Sequence, residues 1–394
     1  MFSTIKKVYL DYAATTPVDK RVLKVMLPYF SSKFGNPSSI HLWGQEARKA
    51  VEEAREKVAR ILNCFSSEVY FTGTTTTSVN LAIQGVMKAL KEKGKNHLIT
   101  SAVEHHAVLD TAKALEREGF KLTILPVDKY GKVDPKQLEK AINSQTGLIT
   151  IMSANNEVGT IQPIKEIGKI IKKFKTKIKD LYFHTDAATI AEYFSLDVKE
   201  MGVDLLSLGA HKFHGPKGVG ILYVKKGVPL KPITFGGHHE NGLWPGTEAV
   251  PLIVGAAEAL KIAQEEVEEA KKRVEKLRDK LIKGVLEKIS GSYLTGHPKE
   301  RLPDIASFVF ENVEGEAILL ALSDKGIAAS SGSACTSGLL QPSHVLTAMG
   351  ISPALSHGSV RFSLGKETTE EEIDYVLEVL PPIIERLRKM APKD

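Results

Sequence analysis

Short apolar runs alternate with amphipathic stretches over the first two-thirds of the chain. Runs of strand length fall at Val69–Phe71, His97–Thr100, Lys121–Pro126, Gly147–Met152, Leu181–His184, Val203–Leu208 and Val219–Val224. Between most of them lie helical patterns, at Ser78–Glu92, Ala107–Glu118, Pro135–Ile142 and Pro163–Phe174. This alternation predicts parallel strands joined by crossover helices. Upstream, His41–Leu62 gathers its charges on one face and predicts a surface helix. From about Glu248 to Ile289 the rhythm changes to a long amphipathic segment. Its second half, AQEEVEEAKKRVEKLRDKLIKGVLEKI, predicts a solvent-facing helix bridging two domains and holds too few heptads for a coiled coil. A strand (Ile305–Phe310), a helix (Glu314–Lys325), a Ser/Gly loop, a strand (Ser359–Leu364) and a final helix (Thr369–Lys389) follow. The expected architecture is α/β: a large domain over 16–260 with a mostly parallel sheet flanked by helices, and a smaller α/β domain made of 1–15 and 261–394.

Composition narrows the class. With 394 residues and 42% hydrophobic content the chain can bury a sizeable core, which excludes disorder. No apolar run is long enough for a membrane span, and the opening MFSTIKKVYLDYAATT shows no secretion signal. Two cysteines cannot staple a secreted fold and point to a reducing, cytoplasmic setting. A formal charge of +6 is too mild for a nucleic-acid footprint. A cytoplasmic globular enzyme is expected, without membrane or nucleic-acid partners.

In a parallel sheet the chemistry gathers at the carboxyl ends of the strands. FTGTTTTSVN puts a Gly and a row of hydroxyls ahead of a helix, which suits a phosphate, although threonines there also act simply as caps. SAVEHHAVLD offers His105 and His106, and SANNEVGT offers Asn155, Asn156 and Glu157. FHTDAAT places Asp186 where a buried carboxylate needs a cationic partner. LSLGAHKFHGPKGVG sets Lys212 among small and apolar neighbours, the setting that lowers an amine pKa and favours a Schiff base. Histidines at 211 and 214, or at 238 and 239, lack the spacing of a metal site, so no metal is expected. An Asp and a Lys on successive strand ends, a His able to stack and a hydroxyl-rich helix start together describe a pocket for pyridoxal 5'-phosphate (PLP).

With those residues in hand, the chain resembles the cysteine desulfurases of the NifS/IscS type, within the class V aminotransferases of PLP fold type I. The likeness runs through YLDYAATTPV, FGNPSSIHLWGQEAR, VEHHAVLD, NNEVGTIQPI, HTDAAT, AHKFHGPKGVGILYV, SSGSACTSGLLQPSHVLTAMG and GSVRFSLGKETTEEEIDYVL. It implies a homodimer that takes sulfur from L-cysteine, releases L-alanine and passes a persulfide to an acceptor such as an iron–sulfur scaffold. By the same resemblance Lys212 is the Schiff-base lysine, Asp186 the partner of the pyridine nitrogen, and His105 the stacking, proton-transferring histidine. Thr76, His211 and Thr247 are implied phosphate contacts, Thr247 from the partner subunit, and Thr75 is an implied cofactor-binding residue. Thr189 and Asn155 also face the cofactor, Asn155, Arg361 and Asn36 hold the substrate, and Cys335 is the nucleophile that receives sulfur.

The chain departs from the family pattern at Gly73–Thr77, at Thr189 (usually Gln), at Gly209 (usually a phosphate-binding Ser) and at Trp244–Pro245. Restoring Gln at 189 and Ser at 209 is therefore expected to tighten PLP. Two rival readings keep the fold. A related PLP lyase or aminotransferase would not need Cys335, and a degenerate scaffold would hold PLP poorly.

Overall fold

The computed structural model describes residues 6–331 and 342–390. Twelve strands run in chain order: β1 (Val8–Tyr9), β2 (Val69–Thr72), β3 (His97–Ser101), β4 (Lys121–Leu125), β5 (Thr146–Thr150), β6 (Tyr182–Asp186), β7 (Leu205–Gly209), β8 (Gly220–Val224), β9 (Ser292–Leu294), β10 (Ile305–Phe310), β11 (Ile327–Ala328) and β12 (Ser359–Ser363). Seven form one sheet in the order β2-β8-β7-β6-β5-β3-β4, and only β8 runs against its neighbours. Both faces of this sheet are covered, so its strands are apolar at successive positions rather than at alternate ones. Leu98, Leu148, Leu205 and Leu222 pack on one face, while Ile99, Ile149, Leu206 and Ile221 pack on the other.

The helix Leu42–Leu62 buries Ala47, Ala50, Val51, Ala54, Val58 and Leu62 at helical spacing and packs on the helix Val250–Glu265. The helix expected from Ser78 begins earlier, at Thr75. Thr74 caps it, accepting from Thr77 N at 3.1 Å, and Thr77 Oγ1 accepts from Thr74 N at 2.8 Å. A threonine thus does the work usually given to Glu in such a box.

The long segment from Glu248 is two helices, Val250–Glu265 and Val267–Lys288, with Glu266 between them at φ −98°, ψ 2°. The second is not merely solvent-facing. Val274, Leu277, Leu281 and Val285 pack into a second core with β10, β12 and the helices Gly315–Asp324 and Glu370–Met390. Strands β9, β10 and β12 form an antiparallel sheet beneath them.

The N-terminal strand pairs in parallel with β11, and Leu10 and Tyr12 continue along β12 through Ser363. This strand carries the following residues, Asp11 to Thr16, over the carboxyl ends of β6 and β7. Among the described residues no helix is long and apolar enough to cross a membrane, and no group of three or more His, Cys, Asp or Glu is placed to hold a metal.

Candidate active site

Beyond the carboxyl ends of β2, β3, β5, β6 and β7 lies a cavity of about 500 Å³. Lys212 stands in its wall on the short turn Ala210–Lys212, just past β7. Its Nζ donates to the carbonyls of Ala13 (2.5 Å) and Ala14 (3.0 Å), which fixes the amine at the mouth of the N-terminal loop. On the neighbouring strand Asp186 is 7% exposed, and Oδ1 accepts from Ala188 N at 3.0 Å. Burial pushes its carboxyl above the usual range, opposed by His105 and Lys212 nearby. His105 caps the helix His106–Arg117, its Nδ1 accepting from Ala107 N at 3.0 Å. Burial lowers its pKa below the usual histidine value, so the neutral ring carries its proton on Nε2. Behind Asp186, His184 joins Thr150 and Ser207 across three strands; burial lowers its pKa to about 3, which keeps it neutral.

At the other end of the cavity the helix Thr75–Leu90 presents Thr74, Thr75 and Thr76 with its N-terminal backbone. Thr75 Oγ1 is buried and has no hydrogen-bond partner. A buried hydroxyl without a partner is costly, and here it sits at a helix N-terminus, where a phosphate oxygen would accept from it. His211 lines the same end, its Nδ1 3.2 Å from Thr15 Oγ1, and burial with Lys212 lowers its pKa to about 4. The residues present fit a phosphorylated, aldehyde-bearing pyridine, with hydroxyls and a helix start at one end and Asp186, His105 and Lys212 at the other.

Gly209 bears on one expectation. A Cβ built there would lie 1.9 Å from Thr75 Oγ1, so a Ser at 209 requires the Thr75 hydroxyl to turn away. Gly209→Ser alone is therefore expected to displace the Thr75 hydroxyl and weaken PLP. The double change Thr75→Ala with Gly209→Ser is expected to restore it. One hydrogen bond to a charged group, worth roughly 1.5–3 kcal/mol, sets the loss in the single variant at about tenfold or more. Titrating apoprotein with PLP by absorbance reads both values.

Arg361, on β12, reaches the cavity from the other sheet. Its Nη2 lies 2.9 Å from Asp11 Oδ1, and Nη1 donates to the Asn156 carbonyl at 2.8 Å. Thr189 also lines the wall, donating to the Ala154 carbonyl at 3.1 Å.

Three expected residues are not brought here. Asn155 is fully buried in its own turn: Nδ2 donates to Val103 O at 2.8 Å and Oδ1 accepts from Glu157 and Val158 N. Its neighbour Asn156 takes the place on the wall. Asn36 is exposed, its Oδ1 accepting from Ser38 N, and Thr247 is exposed on the segment that follows Trp244–Pro245. Cys335 lies outside the described residues. On one side of it Ser330 and Ser331 line the cavity. On the other, His344 stacks on His106 at 4.8 Å and bonds the Glu104 carbonyl at 2.9 Å. Asp11 went unread in the sequence, and of the two asparagines the resemblance chose Asn155 over Asn156. The Asn-Asn pair signals a turn, but only backbone geometry decides which of the two faces inward.

Residues 8–376 match the aminotransferase class-V family, and the chain belongs to it. It is 51% identical over 387 residues to the cysteine desulfurase IscS of Dictyoglomus turgidum, covering 98% of this chain and 97% of that one. Among solved structures a NifS-like protein superposes with a TM-score of 0.90 at 42% identity, over 97% of this chain and all of that one. A second, SspA in complex with cysteine, gives 0.79 at 37% identity over 92% of this chain and all of that one. Within the class-V family the chain stands with the cysteine desulfurases, a PLP-dependent group, and the fold is theirs.

Proposed function

We infer that the protein removes sulfur from L-cysteine with PLP, releasing L-alanine and leaving a persulfide on Cys335. One observation carries this reading. Lys212, Asp186, His105, the threonines at 75 and 76 and Arg361 come from separate elements and line a single cavity together with Ser330 and Ser331, which shortly precede Cys335 in the sequence. Bound PLP supplies an electron sink for negative charge at the substrate α-carbon. When bound, the cofactor would be held by Lys212 at its aldehyde, by Asp186 at its ring nitrogen and by Thr75, Thr76 and His211 at its phosphate. Lys212 would move a proton at Nζ, and His105, with its proton on Nε2, would hand protons on. Arg361, kept in position by Asp11 and the Asn156 carbonyl, takes the substrate carboxylate in its fork. Cys335 attacks the substrate sulfur as thiolate; the carbon–sulfur bond breaks, and the carbon takes a proton to become alanine. Purified protein supplied with PLP is expected to turn yellow and to form alanine and bound sulfur from L-cysteine. A protein that stays colourless with PLP overturns the reading.

The same reading makes the active unit a homodimer, with Thr247 and Asn36 of each copy completing the neighbour's site. Leu23, Leu27, Phe30, Phe34, Leu42 and Trp43 are all exposed on neighbouring stretches of chain, the kind of apolar surface that a second copy covers. Sedimentation is expected to give twice the chain mass, and full activity in a monomer would refute the shared site. We take residues 16–260 as the cofactor-binding domain, and 1–15 with 261–394 as the smaller domain. The protein acts in the cytoplasm on this reading and passes its sulfur to an acceptor such as an iron–sulfur scaffold.

A further inference from the structure

Lys212 separates two spaces. One is the large cavity; behind it lies a second of about 20 Å³, bounded by Tyr12, Thr189, Glu192, Tyr193, Lys212 and Asp304. That volume has room for a single water molecule. Two side chains in its wall, each more than nine-tenths buried, have a polar atom without a hydrogen-bond partner: Asp304 Oδ1 and Tyr193 OH. They come from two separate stretches of chain, and a small polar space lined by such atoms takes up water. We propose that Asp304 is a proton store for Lys212, reached through one water held in this space, and that the Glu192–His214 pair sets how readily the store fills. Asp304 and Glu192 are thus positioning residues, acting through Lys212. The proposal rests on the reading of Lys212 as the cofactor lysine.

The pair behind the store supports this. His214 sits at φ +61°, and its Nδ1 lies 3.0 Å from the Pro17 carbonyl, which can only accept, so Nδ1 carries a proton. Its Nε2 faces Glu192 Oε1 at 3.2 Å. Glu192 thus touches both the His214 ring and the space that Asp304 lines. A second small space on the other side of Glu192 and His214 is bounded by Asp19, Glu266 and Lys366. Asp19 is held ionised there by Arg21 and Lys366, so it does not compete with Asp304 for a proton.

Asp304 is the group left to titrate. Burial and the Glu192 charge push it up to about 7, while Arg361 and Arg278 oppose them. Tyr12 and Tyr193 are both held protonated, by burial first and by neighbouring carboxylates after it. On the cavity side Lys212 faces Asp186 and His105, with His211 beside it. The step balances within the cluster. Lys212 Nζ gives a proton to the water, and the water gives one to Asp304 Oδ1. The reverse transfer restores both groups, so only N–H and O–H bonds change.

Two readouts test it. Glu157 and Glu104 are also pushed up by burial, to about 7 and about 8. Infrared titration of the protein without cofactor is therefore read as the difference between wild type and Asp304→Asn, which is expected to show one protonated-carboxyl component that disappears with a midpoint near pH 7. In Glu192→Gln, where the neighbouring negative charge is gone, that midpoint is expected to fall. In the PLP-loaded enzyme, kcat is expected to decline as the pH drops through the same midpoint, because a filled store accepts nothing. Asp304→Asn is expected to lower kcat by about 10²-fold, the lower end of what a placed acid or base contributes, and to flatten that limb with KM unchanged. A difference spectrum with no carboxyl component near pH 7, a midpoint of that component that stays put in Glu192→Gln, or an unaltered kcat profile in Asp304→Asn overturns the store. Wild-type protein that never turns yellow with PLP overturns the reading of Lys212 instead.

Discussion

Cys335→Ala is expected to bind PLP and L-cysteine, keep its colour change on mixing, and form alanine more than about 10³-fold more slowly than wild type, the scale on which removing a covalent nucleophile is felt. The chain has two cysteines. Cys64 follows the helix Leu42–Leu62 and packs against the large core, away from the cavity. Burial pushes its thiol up to about 12, with the Glu68 carboxylate adding to the rise. A thiol held that high supplies almost no thiolate at neutral pH, and the thiolate is the nucleophile. Cys335 follows Ser330 and Ser331, which line the cavity, and precedes His344, which bonds the carbonyl of Glu104, the residue before His105. Mass spectrometry after a cysteine pulse, with thiols trapped by alkylation, is expected to show one added sulfur on the Cys335 peptide. Cys64→Ala is expected to turn over at the wild-type rate. Added sulfur on Cys64, or undiminished alanine from Cys335→Ala, would exclude the mechanism.

Replacing Lys212 by alanine is the second change of this size. The amine sits at the junction of the N-terminal loop, β7 and the cavity, and no other lysine lines that wall. Its loss removes both the covalent anchor of the aldehyde and the group that moves protons at the substrate α-carbon. A positioned acid–base group contributes ~10²–10⁴-fold, so turnover in Lys212→Ala is expected to fall by at least about 10³-fold. Borohydride treatment of the wild-type protein, followed by peptide mapping, is expected to fix the pyridoxyl group to the peptide containing Lys212. A label on any other lysine excludes the assignment.

The local features of this site were legible because each lies just past a strand that the hydrophobic pattern already marks. Lys212, Asp186 and His105 are polar residues at the ends of apolar runs, and β-strand spacing brings those ends side by side. What could not be read depends on distance along the chain. Asn155 and Asn156 are equivalent in the sequence, and the turn's internal hydrogen bonds choose between them. Gly209 reads as a missing hydroxyl until Thr75, 134 positions earlier, is seen to occupy its space. The break at Glu266 carries neither Gly nor Pro; it reflects each helix following its own core. Glu192 and His214 show no common pattern, because their contact is made by two loops folding over β6 and β7.

The first described residues also bear on how the molecule is made. Val8 pairs with Ile327, Asp11 meets Arg361, and the carbonyls of Ala13 and Ala14 hold Lys212. Ribosomal synthesis delivers this segment more than 300 residues before its partners at 327 and 361. Although domains generally fold from the N-terminus as they emerge, this strand stays without its partners until β11 and β12 follow it. A nascent chain stopped short of β12 lacks both Arg361 and the seat for the strand, so the two carbonyls that position the Lys212 amine arrive only when β12 does.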